Sequence, residues 1–194
     1  MGEKSVKKRK FILETARKVF LEKGYKAVTM KDIVDACGIS RGGLYLYFDS
    51  TKTIFQEIMK EESEEADDVF GENIGKDATA TEVLALFLKE QKKEIFRKNN
   101  NLTMAIYEYY FAEKMPKKEN MLKQQFDSAV LILEQLIASG VESGEFYCED
   151  CLGTARNIMF VLEGLKITSQ TIGVSQDAVD QEFLYIMKGL ASDE

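Results

Sequence analysis

The chain has 194 residues, of which 45% are hydrophobic and 30% are charged, and its formal net charge is −7. This length and composition fit one globular domain, or a small domain joined to a larger one, with enough apolar material for a core. The sequence contains no histidine and only three cysteines. It therefore excludes catalysis by a histidine base and argues against a disulfide framework.

The first part of the chain predicts four helices in succession. Apolar residues at helical spacing indicate a first helix that ends at Gly24. Thr29, followed three residues later by Asp32, is a variant of the capping box and begins a second helix, which Gly38 ends. Ser40 caps a third helix, and a fourth begins at residue 50 or 51 and runs into an acidic stretch.

Longer helical patterns follow a glycine-containing break at residues 71–75. They cover residues 81–96, 102–112, 121–139, 152–172 and 178–190, with a turn at residues 140–146. The alternation typical of a strand is weak throughout. The sequence therefore predicts an all-α protein of about nine helices.

Charge is distributed unevenly along the chain. Residues 1–52 hold 12 Lys/Arg and 6 Asp/Glu, whereas residues 53–194 hold 14 and 27. A basic end on an acidic body indicates one part that faces nucleic acid and another part with a different role. Charge alone leaves open a second interpretation, a solvated basic tail.

The basic N-terminal segment also bears on location. It leads into an amphipathic stretch and not into the apolar core of a secretion signal. No stretch approaches the roughly 18 apolar residues that a membrane-spanning helix needs. We therefore expect the protein to be cytoplasmic.

Residues 29–48 have the dimensions of a helix-turn-helix motif, with Gly38 in the turn. The second helix of such a motif enters the major groove with its N-terminal residues at the base edges. Gly42 and Gly43 allow the backbone of that helix to approach DNA, and the helix start offers N–H groups to phosphate. An ordinary loop is the alternative, and both the Ser40 cap and the apolar spacing that follows it argue against that alternative.

The stretch TMKDIVDACGISRGGLYLYFDSTKTIF, residues 29–55, resembles the DNA-binding domain of the tetracycline-repressor (TetR) family. The segment ILETARKVFLEKGY precedes it, and the later GVESGEF resembles the family's link between its seventh and eighth helices. The matching residues are Thr29, Ile33, Ala36, Gly38, Ser40, Gly42, Tyr45, Tyr47 and Phe48. The resemblance implies a helix-turn-helix DNA-binding domain at residues 1–52 and a helical ligand-binding and dimerisation domain at residues 53–194.

The resemblance also implies which residues meet DNA. The reading surface is expected to comprise Ser40, Arg41, Gly42, Gly43 and Tyr45. Phosphate contacts are expected from Thr29, Tyr47 and Lys52, and Lys31 is expected at phosphate or at a base edge. Lys52 lies one place after the lysine that the family often has, where this chain has a threonine. Arg41 is the strongest candidate reader of a base, because a guanidinium can bond guanine O6 and N7 together.

An aromatic stretch at residues 105–115 combines several rings with one carboxylate, Glu108. Such a set suits an apolar or cationic ligand, although aromatic residues at helical spacing are more often part of a core. The candidate pocket residues are Phe87, Tyr107, Glu108, Tyr110, Phe111, Phe126 and Phe160.

The last two predicted helices are apolar on more than one face. A helix of this kind buries both sides, either within one subunit or against a second copy. By the resemblance, the second face forms a homodimer interface. The candidate interface residues are Met159, Leu162, Leu165, Phe183, Ile186, Met187 and Leu190.

Cys148 and Cys151 form a C-x-x-C pair. Zinc would need two more ligands, and a redox pair would need a strand–helix context, so two packed cysteines at the start of a helix is the favoured interpretation. No metal and no cofactor are predicted.

The sequence thus predicts a DNA-binding transcriptional regulator. We expect a homodimeric repressor that an unknown small molecule, apolar or cationic, releases from a near-palindromic operator. Control by a protein partner is the alternative. An enzyme is disfavoured, because histidine, a phosphate-binding glycine loop and a metal cluster are all missing from the sequence.

Overall fold

The computed structural model describes residues 2–71, 77–97 and 102–191, except for the side chains of residues 63–71 and of Lys117. The all-α prediction is confirmed, since these residues form nine α-helices, one short 3-10 helix and no strand. The helices are α1 Glu3–Lys23, α2 Met30–Cys37, α3 Arg41–Tyr45, α4 Thr51–Gly71, α5 Ala80–Ile95, α6 Thr103–Ala112, α7 Met121–Ser143, α8 Cys151–Thr171 and α9 Gln176–Leu190, and the 3-10 helix is Lys117–Glu119.

The chain forms two compact units. The first unit is Met1–Glu72 with Lys98–Lys114, and the second is Asn73–Arg97 with Met115–Glu194. Helix α6 therefore belongs to the same unit as α1–α4, although α5 precedes it in the chain. These units differ from the predicted domains, and the division of function between residues 1–52 and 53–194 stays a prediction.

The first unit is built on α1, which buries one apolar face. Leu44 of α3 and Phe55 of α4 are fully buried, as is Ile33 of α2. Phe20 and Phe55 meet with their ring centroids 4.7 Å apart. The apolar positions of four consecutive helices thus form one core, and this core determines where α3 lies.

The second unit packs α5, α7, α8 and α9 around its own apolar core. Glu145, in the link before α8, accepts hydrogen bonds from the backbone N–H groups of Ala80 (3.2 Å) and Thr81 (2.9 Å) at the start of α5. The bond from Thr81 contributes most to lowering the pKa of Glu145 to about 2. Phe146 packs on Gly140, where a Cβ would lie 2.1 Å from the ring. The GVESGEF segment therefore joins α5, α7 and α8.

Candidate nucleic-acid interface

The turn between α2 and α3 has the features that the sequence predicted. Thr29 and Asp32 form a capping box, in which the Asp32 carboxylate accepts from Thr29 N at 2.8 Å and Thr29 Oγ1 accepts from Asp32 N at 3.3 Å. Gly38 ends α2 with φ 62°, a left-handed conformation that glycine adopts at little cost. Ser40 then caps α3, because its Oγ accepts from Gly43 N at 3.1 Å.

The Asp32 carboxylate also has a partner outside the capping box. Lys23 Nζ donates to its carboxylate at 2.5 Å. Hydrogen bonds, first from Lys23 and then from Thr29, keep the pKa of Asp32 well below its usual range. A depressed folded-state pKa means that this contribution to stability is present above the ordinary carboxyl pKa and is lost as the pH falls. The start of α2 is therefore weakened by acid.

The two glycines of α3 have different surroundings. A Cβ on Gly42 would meet no atom within 4 Å, whereas a Cβ on Gly43 would lie 3.1 Å from Ser40 Oγ and 4.0 Å from Lys8 Nζ. Gly43 thus faces its own cap and the ammonium group of Lys8, and Gly42 faces open space. The predicted close approach of backbone to DNA consequently centres on Gly42.

Replacing Gly42 with alanine separates fold from DNA binding. The added methyl group meets open space, and alanine is a better helix former than glycine, so the variant is expected to be at least as stable as the wild type. If Gly42 lies against DNA, the same methyl group weakens binding to every duplex. The measurement pairs a thermal melt with DNA titration. A variant of unchanged affinity for DNA would place Gly42 outside the interface.

Arg41 is exposed and lies over the ring of Tyr45, with its guanidinium carbon 5.5 Å from the ring centroid. Stacking on an aromatic face restricts a long side chain and leaves its N–H groups available at the edge of the guanidinium plane. Two members of the predicted reading surface are thus brought together at the start of α3.

The other residues predicted to contact DNA have partners within the chain or are partly buried. Thr29 Oγ1 donates to Asp32 at 2.6 Å, so its hydroxyl serves the helix cap. Lys31 is exposed and pairs with Asp35 at 3.0 Å, an interaction that raises the pKa of Lys31. Tyr47 is half-buried. Contacts of Thr29, Lys31 and Tyr47 with phosphate stay predictions.

Lys52 is held by a carboxylate that sequence analysis did not select. Glu113, just after α6, accepts from Lys52 Nζ at 2.8 Å and from the Tyr25 hydroxyl at 2.9 Å. These two bonds, first the one from Lys52, lower the pKa of Glu113. Burial and the nearby Glu113 raise the pKa of Tyr25. In this structure the ammonium group of Lys52 therefore contacts Glu113, and its contact with phosphate stays a prediction.

A basic run at residues 7–10 lies within α1. Lys8 approaches the start of α3, as described above. Arg9 lies over the ring of Phe48, 5.1 Å from its centroid, and pairs with Glu57 at 2.9 Å. One member of the run thus faces the reading helix, and another joins α1 to α4.

The predicted pocket residues are divided between the two units. Tyr107, Glu108, Tyr110 and Phe111 lie on α6, and Phe87, Phe126 and Phe160 lie on α5, α7 and α8. The rings of Phe126 and Phe160 meet at a tilt of 38°, with centroids 5.2 Å apart. Glu108 accepts from the backbone N–H of Lys26 at 3.1 Å, and Phe111 is exposed. The pocket stays a prediction, and Glu108 has a structural partner in the first unit.

Four of the predicted interface residues are buried within their own chain. Met159, Leu162, Phe183 and Leu190 belong to the apolar core of the second unit, with at most 9% of each exposed, and their contact with a second copy stays a prediction. Leu165, Ile186 and Met187 are half-buried at the edge of the same core. The exposed apolar residues on these helices are Leu152, Phe160, Ile167 and Ile172 of the α8 region and Leu184 and Tyr185 of α9.

The two cysteines lie where α8 begins. Cys151 is the first residue of α8, and Cys148 Sγ lies 3.2 Å from Thr154 Oγ1. Both pack against the apolar core of the second unit, and burial followed by the neighbouring Cys148 raises the pKa of the Cys151 thiol. Among the residues described, His, Cys, Asp and Glu form no group of three that is arranged to hold a metal ion.

The part of the chain that the structure describes contains no helix long and apolar enough to cross a membrane. In the first unit, α3 is capped by Ser40, follows the tight turn at Gly38, and has an exposed, basic start. A fold and surface of this kind define a helix-turn-helix DNA-binding protein.

Comparison with known proteins specifies the class further. Residues 12–58 match the family described as bacterial regulatory proteins, tetR family, and residues 83–180 match the tetracyclin repressor-like C-terminal domain. The chain belongs to the TetR family of transcriptional regulators.

Individual relatives agree with this assignment. The HTH-type transcriptional regulator YfiR of Bacillus subtilis is 32% identical over 139 residues, which cover 70% of this chain and 66% of that protein. The fatty acid metabolism regulator protein of the same organism is 25% identical over 134 residues, covering 69% of this chain and 68% of the relative. A solved regulator from Saccharomonospora viridis, in complex with choline, shares the fold with a TM-score of 0.80 at 22% identity, covering 95% of this chain and 98% of its own.

Proposed function

We propose that this regulator is a repressor that binds a near-palindromic operator as a homodimer and leaves it when a small molecule binds. The observation that carries the DNA-binding part is the start of α3, where Arg41 stacks on Tyr45 beside the open surface of Gly42. Such a surface fits the major groove, where a helix start meets base edges. Because operator DNA is in the cytoplasm of a bacterium, the protein is proposed to act there.

Arg41 is proposed to read a base pair, and its substitution tests the proposal. Arg41→Ala should lower affinity for the best operator by about 1–3 kcal/mol and relax discrimination at one base pair in each half-site. The measurement is titration of an operator selected from random duplexes, and of its single-base variants, at one salt concentration.

Lys52→Ala is the comparison variant, because the only DNA contact proposed for Lys52 is with phosphate, although in the unbound structure its ammonium group contacts Glu113. Its removal should weaken all sequences about equally and reduce the dependence of affinity on salt. Equal weakening of all sequences by Arg41→Ala would instead identify Arg41 as a phosphate contact. Base selection would then come from Lys31, Tyr45 or the shape of the DNA.

The contacts of α6 support a route by which a ligand could act. Tyr109 of α6 packs on Phe55 of α4, with ring centroids 5.5 Å apart, and its hydroxyl accepts from the Gln56 amide at 2.9 Å. Glu113 bonds Lys52 at the start of α4. A ligand that displaces α6 would thus move the beginning of α4 and with it the DNA-binding helices.

Such a movement would act through the spacing of the two reading helices. In a dimer these helices must match half-sites about 34–36 Å apart, one turn of DNA. A ligand that favours a different spacing shifts the population away from the DNA-bound form. The ligand would therefore release the operator by changing the distance between the two reading helices, without competing for the DNA-binding surface.

The effector is proposed to be apolar or cationic. Aromatic side chains favour both kinds of ligand. A relative is named a fatty acid metabolism regulator, and a structural neighbour was solved with choline. A thermal-shift panel containing long-chain acyl compounds and quaternary amines tests both classes, since a ligand of the native state raises the melting temperature. Control by a protein partner is favoured if no member of the panel raises the melting temperature or releases DNA.

A further inference from the structure

Leu46 presents the most exposed apolar side chain of the helix-turn-helix region. Its exposed fraction is 83%, whereas Leu44, two residues earlier, is fully buried. A single exposed leucine is common on protein surfaces, so exposure alone assigns no role to it. Its place relative to α3 carries the argument.

Leu46 continues the helical backbone of α3 by one residue, with φ −68° and ψ −20°. Its N–H donates to Gly42 O at 3.2 Å, so the two residues lie one helical turn apart on the same face. Leu44, which points into the core, lies on the opposite face. Leu46 is thus on the outer face of the reading helix, the face that also includes Gly42.

The surface between Gly42 and Leu46 is open. A Cβ on Gly42 would meet no atom within 4 Å, so the leucine side chain does not fill the space that the glycine leaves. Open space at Gly42 and the exposed side chain of Leu46 thus lie on the same face of the helix. A small apolar group placed there would meet the leucine side chain and helix backbone.

The major groove of DNA offers one such group. Each base pair presents hydrogen-bond donors and acceptors at this edge, and thymine alone among the four bases adds a methyl group. Arg41, one position before Gly42, supplies hydrogen-bond donors and cannot recognise a methyl group. A reading helix with both side chains would therefore combine hydrogen bonding with apolar contact.

We propose that Leu46 is a specificity-determining residue that selects a thymine in each half-site by contact with its 5-methyl group. This proposal rests on the proposed docking of α3 in the major groove. Leu46 contacts the base directly and takes no part in holding α3 in the fold, because its side chain is exposed.

Deoxyuridine gives the sharpest test, since it differs from thymine by the methyl group alone. Each thymine of an operator selected with the full-length protein is replaced in turn, in both half-sites, and titrated at one salt concentration. Loss of one buried methyl contact corresponds to about 4-fold in affinity, so two half-sites give roughly 16-fold for the wild type. Leu46→Ala should bind the thymine operator more weakly by a similar factor and should show no penalty for deoxyuridine at that position.

Arg41→Ala is the matched variant, and it should keep the deoxyuridine penalty. The proposal is overturned if no deoxyuridine replacement weakens binding of the wild type. It is also overturned if Leu46→Ala keeps the full deoxyuridine penalty while Arg41→Ala loses affinity for the operator. Failure of the docking of α3 gives a different result, in which neither Arg41→Ala nor Leu46→Ala changes affinity for any duplex.

Discussion

Replacing Ile167 and Leu184 together with glutamate is expected to convert the protein into monomers and to weaken operator binding by at least about 10³-fold. The two side chains lie on α8 and α9 and are 40% and 41% exposed. In a single chain the new carboxylates would therefore stay hydrated. A penalty arises only where a second copy buries them, and in a two-fold symmetric interface each substitution occurs twice.

The chain offers a closely matched control on α7. Leu131 and Ile132 are 54% and 57% exposed, so Leu131→Glu with Ile132→Glu makes the same chemical change on another helix of the same unit. This variant is expected to remain dimeric and to bind DNA as the wild type does. Light scattering and operator titration measure both properties. A dimeric α8/α9 variant would move the proposed interface away from these helices.

The helix-turn-helix motif was predictable because its signals are local. The Thr29 cap, the Gly38 turn and the Ser40 cap each depend on residues within a few positions of one another, and the structure contains all three. The all-α fold was predictable for the same reason, since apolar residues recur at helical spacing along most of the chain. Short-range interactions were therefore sufficient to locate α3.

The face of a helix that packs within its own chain was not predictable in this way. Helices α8 and α9 carry apolar residues on more than one face, and periodicity does not say which face packs within the chain. Leu162 and Leu190 were predicted at the dimer interface but are buried in the core of the second unit. The exposed residues Ile167 and Leu184 became candidates only when the positions of α5 and α7 were known.

Long-range pairs were missed for a related reason. Lys52 and Glu113 are 61 residues apart, and no pattern in the sequence connects them. Likewise, α6 is apolar on most sides, so its spacing does not show that Tyr109 faces the core of the first unit. The aromatic residues around Tyr109 were predicted as a ligand pocket, whereas Tyr109 itself packs on Tyr25, just after α1, and on Phe55 of α4.

Tyr109→Ala is therefore expected to lower the free energy of unfolding by about 3–5 kcal/mol, the cost of removing a large buried aromatic side chain. Only 1% of Tyr109 is exposed, and its ring lies 5.0 Å from that of Tyr25 and 5.5 Å from that of Phe55, measured between centroids. Tyr109→Phe keeps the ring and loses only the hydrogen bond from Gln56, so it should cost about 1 kcal/mol. Urea unfolding followed by circular dichroism measures both variants.

Tyr147→Ala, at an exposed tyrosine of the second unit, serves as the control and should change stability by less than about 0.5 kcal/mol. Equal stability of Tyr109→Ala and the wild type would contradict the placement of α6 in the core of the first unit.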